Sequence, residues 1–486
     1  MTVLSRTHIL QDIFQKTFNL KAENILSLPR SGSYREYYRI FSGNFTAIGV
    51  YNLDRKENIA FLEFTRHFLS KGLNVPGIYS EDLDKNVYLL HDLGDTTLFS
   101  FLMEQNDLGG FTNSARNIYM RIMEELPYFQ IRGHEGLDYS YSYPRAMFDK
   151  QSMMWDLNYF KYYFLKLAKI PFEEQSLEDD YQKFTDHLLS EDHDFFMYRD
   201  FQSSNIMIRN NTLFYIDYQG GRKGALQYDL ASLIFDAKAD IPDDFKEKLL
   251  DHYISSLKSW HTFDETKFRN FYYGYALIRL LQAMGAFGFR GFYEKKPQFL
   301  RSIPFAVKTL DYLLKNYIKA NNYPYLTGVL RSMVDSPELK QFIGARESRN
   351  KLIIEINSFS YKRGIPVDLS ENGGGFVFDC RAIHNPGRYE EYRELNGNDP
   401  VVVEFFRNRS KADDFIDDTF RLIDHSVKEY LERKYTKLMV NFGCTGGQHR
   451  SVYCAEQVRS LLEKKYRGGV EVILYHREQE LKKLGI

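Results

Sequence analysis

The sequence predicts an α+β fold of two lobes, followed by a small α/β domain with a mixed or partly parallel sheet. Three observations predict it. At 486 residues the chain exceeds one ordinary core, so two or more domains are expected. An alternating segment rich in Tyr, Ile, Phe and Val, "LPRSGSYREYYRIFSGNFTAIGVYNLD", opens the first part and is followed by long helical periodicity. A polar stretch, "GARESRN" (344–350), then precedes a new strand, "KLIIEINSF", after which strands and helices mix. The expected domains are 1–343, with lobes of about 1–95 and 96–343, and 350–486.

The elements follow in order. A helix-like stretch leads into the alternating segment, which reads as paired strands joined at a glycine turn. "NIAFLEFTRHFLSKG" has apolar residues at helical spacing and stops at Gly72. "NVYLLHDLGD" reads as a strand entering a turn. From Leu98 to about Leu189 the pattern is helical and aromatic, as in "MMWDLNYFKYYFLKLAK", where core packing is the expected role of the rings. "DFFMYRD" and "TLFYIDYQ" are short strands, and helices run on to about 342. In the last part "LIIEINSF", "GGFVFDCR", "KLMVNFGC" and "VEVILYHR" are strands.

Composition sets limits. Hydrophobic residues make up 43% and charged residues 27%, as in soluble globular proteins, and a net charge of −1 gives no field toward nucleic acid or membrane. Three cysteines, Cys380, Cys444 and Cys454, argue for a reducing cytoplasmic setting without a disulfide framework. The first residues are broken by charges and lack the apolar core of a signal peptide, and no run of about twenty apolar residues suggests a membrane span.

The chemistry of the first domain centres on "YRDFQSSNIMIRNNTLFYIDY". Asp200 is followed five residues later by Asn205, and Asp217 ends an apolar strand. Phosphoryl transfer uses this trio: one carboxylate orients the acceptor hydroxyl or takes its proton, and an amide with a second carboxylate holds magnesium. Such residues also cap turns, so the context matters. Ser31, Gly32 and Ser33 lie between strand-like pieces, where a phosphate-covering loop belongs. Glu63 lies on the following helix, where a site-ordering glutamate belongs. "LLHDLGD", with Leu90 and Asp92, stands where an adenine-binding hinge falls, and "QYDLASLIFD" follows the metal aspartate at short range.

With these features the first domain resembles the aminoglycoside phosphotransferase and choline kinase-like family, and so a protein-kinase-like two-lobed fold. "SGSYREYYRI", "FLEFTRHFLSKGLNVPGIYSEDL" and "IDYQGGRKGALQYDLASLIFD" are most similar to the N-acetylmuramate/N-acetylglucosamine anomeric kinases. The resemblance implies ATP and Mg2+, Asp200 as catalytic base, Asn205 and Asp217 as metal ligands, and an amino-sugar acceptor. Two departures stand out. Tyr198 replaces the usual histidine, and "FTAIGVYNL" offers no lysine to the phosphates, with Lys56 a few residues further on.

"NFGCTGGQHRS" (441–451) joins an apolar strand to a helix with one apolar face, a junction that aims backbone amides at one point. Thr445, Gly446, Gly447, His449, Arg450 and Ser451 form a candidate anion cradle. The Cys-x5-Arg-Ser spacing is also that of cysteine phosphatases, with Cys444 as nucleophile and Asp379 as the candidate acid. "SFSYKRGIPVD", "FVFDCRAIHNPGRYEEYRELNGNDPVV", "GCTGGQHRSVYCAEQ" and "YHRE" together resemble the C-terminal domain of the RNase adapter protein RapZ. That resemblance implies a phosphosugar ligand such as glucosamine 6-phosphate, with Lys362, Asp379, Arg381 and His476 as further candidates, and it raises RNA as a partner. Lys362, Arg363, His476, Arg477, Lys482 and Lys483 could form a local basic patch. From residue 350, however, 22 Lys and Arg face 21 Asp and Glu, and this balance disfavours RNA. The expected function is an amino-sugar kinase, in cell-wall sugar recycling, fused to a phosphosugar-binding domain. The alternatives are an RNA-binding regulatory adapter whose kinase-like domain is a sensor, and a bifunctional kinase–phosphatase.

Overall fold

The computed structural model describes residues 3–29, 35–107, 110–236, 239–336, 339, 342, 351–368 and 375–483. Two compact units divide the chain. One comprises Met1–Ala286 with Phe305–Val334, the other Phe287–Pro304 with Asp335–Ile486.

The first unit begins with helix α1 (Val3–Phe18) and an antiparallel sheet of β1 (Asn24–Ser27), β2 (Glu36–Ser42), β3 (Phe45–Tyr51), β4 (Ile78–Asp82) and β5 (Val87–His91), in the order β1-β2-β3-β5-β4. Leu10 and Phe14 of α1 bury one face of this sheet with Tyr38, Ile40, Ala47 and Tyr51. Gly49 permits that contact, because a Cβ there would lie 2.9 Å from a Leu10 methyl. Tyr37 pairs with Val50 and Arg39 with Ile48, so these four share the opposite face. Helix α2 (Arg55–Ser70) is capped by Asp54, whose side chain accepts the Glu57 amide. The chain turns out of α2 through Gly72 at φ +76°.

Helical structure follows in α3 (Leu98–Asp107), α4 (Asn113–Ile131), α5 (Lys150–Phe160) and α6 (Glu174–Leu188). The aromatic run is largely core, since Leu157, Phe160, Phe164 and Leu165 are fully buried, while Trp155 and Tyr162 are exposed. Two small hairpin-like sheets then carry the site. Strand β6 (Phe195–Met197) pairs with β9 (Arg222–Gly224), and β7 (Ile206–Arg209) pairs with β8 (Thr212–Tyr215). Helix α7 (Leu226–Ile234) follows directly, and further helices continue to Asp335.

Among the described residues the second unit holds four strands: β10 (Leu352–Ser360), β11 (Gly375–Asp379), β12 (Lys437–Cys444) and β13 (Val470–His476). Their order is β11-β12-β10-β13 and every pairing is parallel, where the sequence pattern had suggested a mixed or partly parallel sheet. The reason is the length of each connection. Helices α8 (Ala412–Glu432) and α9 (Arg450–Lys465) carry the chain back across the sheet, as a parallel crossover requires. They cover a core of Ile354, Ile356, Val440, Phe442, Ile416, Ile423, Ala455 and Val458.

Candidate functional site

In the first unit the local fold brings the sequence-predicted trio together. The loop after β6 carries Asp200, a 3-10 turn Ser203–Asn205 presents Asn205, and the residues after β8 present Asp217. The Asn205 amide donates to the Asp200 carbonyl at 2.9 Å and to the Asp217 carboxylate at 3.3 Å. Asp217 has φ +71° and Arg199 φ +81°, so both residues flanking the site hold left-handed backbone, as strained functional loops do.

Buried groups enforce this loop shape. Asp229 of α7 accepts the Tyr198 amide at 2.6 Å and the Arg199 amide at 3.0 Å. Burial pushes its carboxyl up to about 7, against those two amides, which hold it down. Tyr198, at the position of the usual histidine, is fully buried, and its hydroxyl donates to the Ile216 carbonyl at 2.6 Å. The tyrosine therefore ties the Asp200 loop to the residue before Asp217. Asp229→Ala would strand both amides in the buried interior. It should destabilise the full chain by about 2–5 kcal/mol, read as a lower urea midpoint; an unchanged midpoint would contradict this role.

Asp217 keeps 41% of its side-chain surface exposed. Its carboxyl is nevertheless pushed above the usual carboxylate range, first by the dense protein around it and then by the Asp200 carboxylate. Gln219 donates to it at 2.6 Å, and the Arg35 guanidinium lies 3.9 Å away. Arg35 also pairs with Glu57 at 3.0 Å, and Glu57 receives Asn52 at 2.7 Å and Gln219 at 3.3 Å. The glutamate of α2 beside the site is therefore Glu57. Glu63 instead pairs with Arg66 of its own helix, which also pairs with Glu81. Sequence reasoning also missed Arg279, whose guanidinium lies 3.9 Å from the Asp200 carboxylate.

The remaining expected nucleotide residues are placed as follows. Leu90 is buried in β5, between β3 and β4. Asp92 is held by Arg39 at 2.8 Å and the Gly94 amide at 3.0 Å. Burial would raise its carboxyl, but these partners outweigh burial and lower it. Lys56 lies over the Tyr143 ring at 5.5 Å. Ser31, Gly32 and Ser33 lie outside the described residues.

In the second unit the cradle sits at the carboxyl end of β12, the edge where parallel sheets hold ligands. Gly447 has φ +66°, and a Cβ there would come within 2.9 Å of the Ser360 nitrogen, so only glycine fits. Thr445 and Gly446 are exposed at the mouth. The other cradle residues are turned differently from the expectation. Arg450, 7% exposed, donates through Nη1 to the carbonyls of Arg381 (2.9 Å) and Ile383 (3.3 Å). That leaves Nη2 near the Thr445 hydroxyl at 3.5 Å, and Nε is buried without a hydrogen-bond partner among the described residues. The Ser451 hydroxyl faces Cys444 Sγ at 3.2 Å, and Cys444 Sγ also accepts the Gly447 amide at 3.2 Å. The His449 ring nitrogen is 2.8 Å from the Tyr392 carbonyl.

Asp379 binds Arg381 through both carboxylate oxygens, and this contact holds it below the usual carboxylate range. His476 bridges Ser358 at 2.8 Å and Glu456 at 3.1 Å. The Lys362 amide donates to Ser360, and its side chain is exposed. Among the described residues no cluster of three or more His, Cys, Asp or Glu could by itself hold a metal ion, and no helix is long and apolar enough to cross a membrane.

Comparison with known proteins divides along the same line. Solved structures similar to the first part include the choline kinase LicA from Streptococcus pneumoniae, at TM-score 0.43 and 16% identity over 63% of this chain and 99% of that one. A spectinomycin phosphotransferase is similar at TM-score 0.43 and 10% identity, over 66% of this chain and 98% of its own. Among curated relatives, a nucleotide-binding protein of Thermosipho africanus is 35% identical over 130 residues, 27% of this chain and 43% of that protein. One from Thermotoga neapolitana is 34% identical over 147 residues, 30% of this chain and 50% of its own. The chain thus spans half or less of the length of these curated relatives. Residues 352–480 match the family described as the RapZ C-terminal domain, and this part of the chain carries that domain.

Proposed function

We propose that the chain is an ATP- and magnesium-dependent phosphotransferase acting on an amino sugar of the N-acetylmuramate or N-acetylglucosamine type, with a C-terminal domain that binds a phosphosugar such as glucosamine 6-phosphate. The observation that carries the kinase reading is the Asn205 amide, bonded at once to the Asp200 carbonyl and the Asp217 carboxylate. It fixes one exposed carboxylate beside a pair of oxygen donors. Asp200 would accept the proton of the acceptor hydroxyl, and Arg279 would hold that carboxylate in place. Asn205 and Asp217 would hold magnesium, which when bound neutralises triphosphate charge. Two protein oxygens suit magnesium, which takes the rest of its shell from phosphates and water. Both parts of the chain resemble proteins of amino-sugar chemistry, which favours that acceptor. Phosphorus NMR of the product is expected to place the new phosphate on the anomeric carbon; phosphate on another hydroxyl would overturn the regiochemistry, and no product from any amino sugar would overturn the acceptor class.

The buried, unpartnered Arg450 Nε supports an anion at the cradle. A second reading has its own support. Cys444 Sγ, 3% exposed as a residue, accepts an amide and faces a hydroxyl at the head of the Cys-x5-Arg loop. Against it, Asp379 is kept ionised by Arg381, so it is a poor proton donor to a leaving group. Arg450→Ala should weaken glucosamine 6-phosphate binding to the full chain roughly thirty- to a hundredfold by calorimetry. Cys444→Ser should leave that binding within a few-fold. Phosphate release that disappears in Cys444→Ser would establish the phosphatase instead.

A further inference from the structure

We propose that Arg35 is the cation that grips the nucleotide phosphates where the strand lysine is missing, and that Glu57 positions it. This rests on the phosphotransferase reading above and identifies the residue that makes the site work without that lysine.

The argument starts from the sheet. The face of β3 away from α1 carries Ile48 and Val50, neither of them a cation. Tyr37 lies opposite Val50, and Arg35, two residues earlier on the same chain, falls on that same face one step beyond the start of β2. The cation has moved to the neighbouring strand. Its side chain is 2% exposed and lies 3.0 Å from Glu57 and 3.9 Å from Asp217, the residue assigned to the metal.

Two nearby cations among the described residues are engaged elsewhere. Arg39 is engaged by Asp92 and Asp95 at the far end of β2, and Lys56 rests on Tyr143. Glu57 is itself fixed by Asn52 and Gln219, and Gln219 also holds Asp217. One network therefore fixes the α2 glutamate, the arginine and the metal aspartate together. A guanidinium carries five N–H donors in a planar fork; here Nη2 meets Glu57 and Nη1 donates to the Tyr37 hydroxyl at 3.1 Å, and a phosphate would be gripped by the same fork while Glu57 holds it in place. A buried ion pair with only a structural role would not need the metal aspartate in its network.

The test is calorimetric titration of ATP with magnesium, and separately of adenosine, into the full chain and its Arg35→Met variant. Adenosine lacks the phosphates, so a phosphate-gripping residue affects ATP alone. ATP affinity is expected to fall roughly thirty- to a hundredfold while adenosine affinity stays within threefold. Glu57→Gln should lower ATP affinity less, again sparing adenosine. ATP affinity within threefold of wild type, or equal losses for ATP and adenosine, would overturn the assignment. If Arg35→Met does not fold, Arg35→Lys is read in its place: a five- to tenfold loss for ATP alone supports the proposal, and no loss overturns it. Wild-type protein that binds neither ligand would overturn the phosphotransferase reading itself, and the proposal with it.

Discussion

Asp200→Ala is expected to lower phosphoryl transfer by roughly a hundred- to ten-thousandfold while leaving the fold intact. The separation of these two effects follows from the contacts. The Asp200 carboxylate is 41% exposed, and its one ion-pair neighbour among the described residues, Arg279, stands 3.9 Å away. Arg279 keeps Ser232 at 2.9 Å and Gln282 at 2.6 Å, so truncating Asp200 strands no buried donor. Asn205 grips the Asp200 backbone carbonyl, which alanine retains, so the loop stays in place. The loss should fall on turnover and little on the Michaelis constant for ATP. Steady-state kinetics with an unchanged urea midpoint would show this. Turnover within tenfold of wild type would remove Asp200 from the chemistry.

Asp217→Asn is expected to weaken magnesium-dependent ATP binding roughly a hundredfold. Asparagine is the informative substitution because the backbone here has φ +71°, which asparagine tolerates and alanine does not. Strain is thereby kept out of the measurement. The variant loses a charge beside Arg35 and one oxygen that the Gln219 amide now meets at 2.6 Å. Adenosine binding should be preserved. Titration of ATP with and without magnesium distinguishes the cases: wild type should gain affinity from the metal and Asp217→Asn should gain almost none. An undiminished magnesium effect in the variant would contradict the ligand assignment.

Much of the first site was legible because it is local. Asp200, Asn205 and Asp217 lie within 18 residues, on a loop, a turn and a strand end whose types the pattern announces. Asp229 was legible only as part of a stretch; its two bonds to the Tyr198 and Arg199 amides needed the fold. The choice of Glu63 over Glu57 shows where helical spacing stops helping. Six residues apart, the two glutamates point to different sides of α2, and the amphipathic pattern does not say which side meets β2. Arg35 was hidden for the same reason: strand alternation gives its face, but only the pairing of β2 with β3 puts that face beside Val50.

In the second unit the strands were legible from their apolar runs, and β10 is buried almost throughout, as a central parallel strand should be. The direction of β11 was not, because pairing depends on the long connections. Arg450 marks the limit at the cradle. The spacing suggested a guanidinium turned into the loop, yet the carbonyls of Arg381 and Ile383, about 70 residues earlier in sequence, take Nη1.

The Asp200–Asn205–Asp217 constellation is proposed to transfer phosphate from ATP to an amino sugar. ADP release by the full chain, measured with magnesium against a panel of N-acetylated amino sugars, choline and aminoglycosides, tests it most directly. Acceptor-dependent ADP release with an N-acetylated amino sugar, lost in Asp200→Ala and on chelation of magnesium, is the expected result. ADP release that no acceptor stimulates, or that Asp200→Ala retains in full, would contradict it.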